Sequence, residues 1–271
     1  MAQLDAGSGE GKIFLAAALD ERDLMAHAVE KPRVFWDESR GMVAGALEKK
    51  VGALILSSKP MGAVSGEDRM KVWCEIIREK GLRMLGWEET LTSWQARVMS
   101  VKKWRSDEAW PDVSENALLE KLEDWLGPFL IAVTKKSELG KFNADEILST
   151  ILPWDLQTRM NALAPEKLPV PSGSHITLYY SPEGNPPVME VRLQEVFGLL
   201  ETPAVNEGRN KIILHLLSPG YKPVQVTQDL KSFWTNTYAE VRKELRMRYP
   251  KHSWPEDPWT AVAVRGAKRR G

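Results

Sequence analysis

Apolar positions in this chain fall into short clusters whose spacing changes character along its length. Lys12 to Ala18 is a brief apolar run with the length of a strand. Asp20 stands where an N-cap would, ahead of a short helix over Glu21 to Val29. Three apolar stretches follow, Val34 to Trp36, Met42 to Leu47 and Val51 to Leu56, either side of turn candidates at Ser39-Arg40-Gly41 and Lys49-Lys50. A meander of this length with one helix suits a small antiparallel barrel or sheet.

Beyond Gly62 to Gly66, which reads as a linker, the period becomes helical. Met70, Trp73, Ile76 and Ile77 share one face of a helix over Asp68 to Lys80 that Gly81 stops, and Leu91, Trp94, Val98 and Met99 mark a second. Asp112-x-x-Glu115 and Asn143-x-x-Glu146 are capping-box patterns, the second opening Ile147 to Leu152. Pro153 begins a helix with Leu156, Met160 and Leu163 inward. From Pro165 prolines break any helix, and His175 to Tyr180 pairs with Val188 to Arg192 across Ser181 to Asn185. Lys211 to Leu217 and Val224 to Thr227 form a second hairpin across Ser218-Pro219-Gly220. Asp229 to Tyr249 is then one long amphipathic helix. Leu230, Phe233, Trp234, Tyr238, Val241, Leu245 and Tyr249 lie inward, with Lys231, Arg242, Lys243 and Arg246 elsewhere on the wheel.

The 271 residues carry 37 Lys plus Arg against 37 Asp plus Glu, with 43% hydrophobic residues, which is ordinary globular composition. That neutrality conceals blocks, because Ser106 to Gly127 is acidic while the stretch from Gln228 to the C-terminus is basic. No apolar run approaches the roughly 20 residues of a membrane helix. The N-terminus is small and acidic where a signal peptide would be basic and then apolar, which points to the cytoplasm. A single cysteine, Cys74, excludes an intrachain disulfide and reads as a small core residue. Eleven Trp imply either several small cores or an aromatic surface.

Most chemistry is excluded by spacing. Gly7-Ser8-Gly9-Glu10-Gly11-Lys12 fails as a phosphate loop because Ala6 and Ile13 stand where Gly and Ser or Thr are needed. Asp107-Glu108-Ala109-Trp110 resembles a helicase acid box but lacks the preceding apolar strand, and reads as an acidic loop. His27, His175, His215 and His252 never pair at metal-binding spacing. Two constellations remain. Val170 to Ser174, with hydroxyls at Ser172 and Ser174, is equally a phosphate contact or a turn. The basic helix face continues through Arg246, Arg248, Tyr249, Lys251, His252 and Trp254. That mixture of cations and aromatics is what single-strand binders use, though a solvated basic face has the same composition.

The segments PWDLQ (Pro153 to Gln157), LAPEKLPVPSGSHITLYYS (Leu163 to Ser181), PPVMEVRLQEVFGLLETP (Pro186 to Pro203) and the 44 residues from His215 to Pro258 resemble the C-terminal region of the bacterial HrpB family of DExH-box ATP-dependent RNA helicases. Lys12 to Pro60 and the helices to Leu152 resemble, more loosely, the stretch between helicase core and C-terminal domain, where related helicases carry an OB-like barrel. Nothing here matches the RecA-like motor domains.

The resemblance and the patterning together imply an α+β chain with a flexible leader (1–11), an OB-like antiparallel barrel (12–60) and a helical region (61–164). A β-hairpin domain closed by a long amphipathic helix (165–260) and a basic tail (261–271) complete it. The expected role is an accessory part of an RNA helicase, with no ATPase of its own and no catalytic residues. Its expected partners are single-stranded RNA and the motor domains, in cis or in trans. ATP and Mg are expected only in the missing core. Ser172, Ser174, Arg242, Lys243, Arg246, Arg248 and Lys251 are the expected phosphate contacts, with Tyr249 and Trp254 as stacking groups. The competing expectation is a docking module whose Trp-rich surfaces and segment Pro250 to Trp259 meet the motor and never touch RNA.

Overall fold

The computed structural model describes residues 20–267; the leader, the Lys12 to Ala18 run and the last four residues lie outside them. In chain order come helix α1 (Glu21–Ala26), strands β1 (Val29–Asp37), β2 (Met42–Val51) and β3 (Leu54–Pro60), and helices α2 (Gly66–Lys80) and α3 (Glu88–Trp104). Short helices α4 (Glu115–Glu120), α5 (Leu122–Trp125), α6 (Gly127–Leu130), α7 (Lys136–Leu139), α8 (Ala144–Ser149) and α9 (Trp154–Leu163) follow. Strands β4 (Lys167–Pro169), β5 (His175–Tyr179), β6 (Val188–Arg192), β7 (Ala204–Val205), β8 (Asn210–Lys211), β9 (Ile213–Leu217) and β10 (Pro223–Thr227) lead to helices α10 (Leu230–Asn236) and α11 (Tyr238–Arg248). The chain is α+β and forms two compact units, one of residues up to Met84 with Leu122–Phe142, the other of Leu85–Lys121 with everything from Asn143 onward. Residues 61–164 are thus shared between both.

In the first unit β1, β2 and β3 form an antiparallel meander in sequence order. Three strands leave this sheet open, so no OB-like barrel is closed among the described residues. The second turn lies at Gly52 rather than Lys49-Lys50, because Gly52 takes a left-handed φ of 58° while both lysines stay in β2. Buried Glu48 is held between Arg33 at 3.1 Å and Lys50 at 2.6 Å. Helix α2 is capped by Ser65, whose hydroxyl accepts from the Asp68 amide, and ends at Gly81 with φ 81°. Its Trp73 packs against Trp36 at 4.9 Å and donates its indole N–H to the Val133 carbonyl. Cys74 is fully buried, which pushes its thiol pKa up to about 11 and leaves it inert near neutrality.

The second unit is built on a five-stranded sheet in the order β10-β9-β6-β5-β4. Both expected hairpins are present as β5–β6 and β9–β10. They are joined by a parallel pairing of β6 with β9, Val188 opposite Ile213, across a connection that contains the β7–β8 ribbon. Leu178, Met189, Val191, Leu214 and Leu216 supply the sheet's share of one core with α10 and α11. Phe197, Phe233, Trp234 and Tyr238 meet there with ring centroids 5.0–6.3 Å apart. Asp229 caps α10 by accepting from the Ser232 amide.

Two expectations are corrected in this unit. The long C-terminal helix is two helices, separated by a turn at Thr237 (φ −119°, ψ −30°). Trp234 then reaches the Leu199 carbonyl and Tyr238 the Pro255 carbonyl. Buried indole and phenol groups need such partners. The N-cap of α4 is Ser114, not Asp112; Asp112 sits two residues earlier, accepting from the Ser114 amide and from Lys102.

Helix α3 carries the polar groups that hold this unit's loops. Arg97, only 4% exposed, donates to the Ala164 carbonyl (2.9 Å), Asn161 Oδ1 (2.9 Å) and Glu166 (2.5 Å). Ser100 donates to the Ser181 carbonyl, Trp104 to the Gly184 carbonyl, and Arg105 to Asn206 and Glu207. A second polar clasp lies at Glu195, a buried carboxylate accepting from Ser174 (2.5 Å), Ser172 (2.9 Å) and Arg192 (2.8 Å). Burial raises its pKa, but these three donors outweigh burial and hold it below the usual carboxylate value.

Arg97→Ala is expected to lower stability by about 2–4 kcal/mol in equilibrium urea unfolding, because it strands the buried Ala164 carbonyl and opens a cavity. A loss under about 0.5 kcal/mol would contradict that role. Glu195→Gln is expected to cost about 1–2 kcal/mol at pH 7. A depressed folded-state pKa stabilises above the unfolded value near 4.3 and is lost as pH falls through the folded one, so the gap from wild type closes below about pH 4. A gap independent of pH would contradict the clasp.

Candidate nucleic-acid interface

Helix α11 turns Tyr238, Val241 and Leu245 inward, at the three- and four-residue spacing of one helical face. Its basic residues divide into two groups. Lys243 and Arg246 are exposed on the helix, Lys251 is exposed just beyond it, and among the described residues these three side chains have no acidic partner. Arg248 is also exposed and pairs with Glu244 at 3.3 Å, an i,i+4 surface contact of little strength.

Arg242 belongs to the scaffold instead. It donates Nε to the Trp254 carbonyl at 3.0 Å and Nη2 to Glu256 at 2.9 Å, binding the helix to the chain that follows it. Trp254 is only 7% exposed and donates its indole N–H to the Tyr249 carbonyl, so it is core and offers no face to a base. Tyr249 is half-buried, with its hydroxyl 3.4 Å from Ser218 Oγ. A Cβ on Gly220 would lie 2.9 Å from that hydroxyl, so the β9–β10 turn and the end of α11 meet closely. The Trp254 ring thus belongs to the domain's own core, and the Tyr249 ring packs partly buried against it.

Ser172 and Ser174 are likewise engaged. Both hydroxyls point at the Glu195 carboxylate, which would repel a phosphate, and Arg265 donates to the Ser172 carbonyl. The loop is a turn held by a buried acid, and nothing in the serine spacing announces Glu195, a partner distant in sequence. His252 donates Nδ1–H to Gln194 Oε1 at 2.9 Å, and burial, aided by Arg192, lowers its pKa.

The acidic loop has a structural explanation too. Glu108 accepts from Arg105, Arg159 and the Trp110 indole, so its carboxylate is committed and kept ionised. Among the described residues no group of three His, Cys, Asp or Glu is placed to hold a metal ion, and no helix is long and apolar enough to cross a membrane. Three exposed aromatics, Trp154, Tyr179 and Tyr221, were not among the sequence-based candidates. Trp154, 80% exposed at the start of α9, lies off the inward set of Leu156, Met160 and Leu163, and that offset was its signal.

Residues 125–258 match the family described as ATP-dependent helicase C-terminal, HrpB_C. Over 266 residues, 97% of its length, the chain is 34% identical to the ATP-dependent RNA helicase HrpB of Escherichia coli K12, covering 33% of that protein. It superposes on the crystal structure of the E. coli DExH-box NTPase HrpB with a TM-score of 0.73, at 33% identity over 97% of this chain and 33% of the other. A second structure, of the E. coli DEAH/RHA helicase HrpB, gives a TM-score of 0.64 over 84% of this chain and 29% of that one. The chain therefore spans about a third of the length of the relatives it matches. By sequence and by fold, it carries the C-terminal helicase domain of the HrpB family.

Proposed function

We propose that this chain is the accessory C-terminal portion of a cytoplasmic ATP-dependent RNA helicase, and that it meets the backbone of single-stranded RNA at the end of α11. The observation that carries the reading is the set Lys243, Arg246, Arg248 and Lys251, which faces solvent from a rigidly packed helix end with a single acidic partner among the described residues. Cations held this way offset phosphate charge without reading sequence. ATP and Mg act in the motor domains, in cis or in trans, and hydrolysis is theirs. Arg242, Ser172, Ser174, Tyr249 and Trp254 serve the site by holding its shape.

On the docking alternative, Pro250 to Trp259 is held against its own domain through Arg242, Tyr238 and the Gly198 amide. Trp154 keeps a second reading in view, as an exposed indole that a motor domain could cover.

Reversing Lys243, Arg246, Arg248 and Lys251 to Glu is expected to weaken single-stranded RNA binding at least about tenfold near 100 mM salt. It should also reduce the slope of log K against log salt by about 0.7 for each phosphate no longer neutralised. Anisotropy titrations over a salt series measure both, and an unchanged affinity would contradict the assignment. Arg242→Ala is expected to differ in kind, lowering stability by about 1–3 kcal/mol in urea unfolding while leaving the salt slope in place.

A further inference from the structure

The turn between β9 and β10 holds an aromatic ring where the fold alone would call for a smaller residue. Tyr221 adopts φ 59°, in the left-handed region that β-carbon sterics make unfavourable for a bulky side chain. The other non-glycine residues with positive φ among those described are Asn206 and Glu207. The glycine of the turn, Gly220, sits one position earlier and has no positive φ; there the Tyr249 hydroxyl leaves little room for a Cβ. The backbone is fixed by Ser218, whose amide donates to the Lys222 carbonyl, whose carbonyl accepts from the Tyr221 amide and whose hydroxyl accepts from the Lys222 amide.

This strained residue is 66% exposed, so its conformation contributes little to the core. Its ring does have one partner. The Arg192 guanidinium lies 5.2 Å from the ring centroid, in cation–π range, and is itself anchored to Glu195. Strain maintained at an exposed aromatic by a rigid turn and an anchored arginine is the pattern of a preorganised binding group.

The surroundings indicate the ligand's chemistry. Lys222 follows in the chain and is exposed, and Tyr249 packs the end of α11 against the same turn, bringing Arg248 and Lys251 to this end of the domain. Of the nearby acids, Glu195 is buried and paired with Arg192, and Glu244 pairs with Arg248 on the helix surface. A cation-rimmed exposed ring matches an unpaired base with phosphate on either side.

We propose that Tyr221 is a stacking platform for one unpaired base of single-stranded RNA, with Arg192 orienting the ring and Lys222, Arg248 and Lys251 meeting the adjacent phosphates. The site rests on the RNA-handling reading above and adds the contact with the base.

The test uses the full chain and a short oligouridine carrying one 2-aminopurine and a terminal fluorophore. Tyr221→Asn removes the ring yet tolerates the left-handed backbone, and Tyr221→Trp keeps a stacking surface. Tyr221→Asn is expected to melt no lower than wild type, to bind about 5- to 150-fold more weakly with an unchanged salt slope, and to lose the 2-aminopurine quenching. Tyr221→Trp is expected to retain both affinity and quenching. If Tyr221→Asn binds like wild type while the fourfold charge reversal abolishes binding, the stacking site is wrong and the phosphate reading stands. If wild type itself binds no RNA, both are overturned.

Discussion

The second unit depends first on a guanidinium taken out of water. Arg97 sits almost fully buried on α3, where burial lowers its pKa, and it stays charged because Ala164, Asn161 and Glu166 surround it with acceptors. Such an ion is costly to desolvate and more costly to strand, so its geometry is enforced. Ser100, Trp104 and Arg105 extend the same logic along the helix to the carbonyls of the β5–β6 loop and to Asn206. With that loop fixed, β6 is fixed, and with it Arg192, Glu195 and the neighbouring β9–β10 turn. Precision at the surface thus originates in polar contacts made inside.

Arginines and lysines divide the work. Arg97, Arg105, Arg192 and Arg242 spend their donors on the protein's own carboxylates and carbonyls, as a planar fork with several donors is suited to do. Lys243, Arg246 and Lys251 remain turned outward. The even balance of 37 basic and 37 acidic residues therefore says little about the local field, which depends on which cations are already neutralised. The tryptophans divide similarly: Trp73, Trp87, Trp94, Trp110, Trp125, Trp234 and Trp254 are buried in cores, while Trp154 stands in solvent.

Local features were legible in the sequence because local rules govern them. Asp20, Asn143 and Asp229 cap helices, Gly81 ends one, and both hairpins form where period-two patterns flank turn residues. What escaped was non-local or competitive. The parallel pairing of β6 with β9 leaves no trace in either strand's pattern. Ser114 displaced Asp112 as cap because either oxygen could accept, and the backbone chose. A continuous heptad-like pattern hid the break at Thr237, since inward positions keep their spacing across it. The candidate site was half legible: amphipathicity marked the outward cations, but nothing in the sequence shows that Trp254 turns inward or that Ser172 and Ser174 serve Glu195. The resemblance from Pro153 onward settled the family, and the assignment of individual residues needed the structure.

The most direct measurement is fluorescence anisotropy of the purified chain with a short single-stranded RNA, without ATP, across a salt series. An RNA-handling module predicts binding that weakens with salt, with a log–log slope of about −2 to −3 for three or four phosphate contacts. No binding at low salt, or binding indifferent to salt, would contradict it.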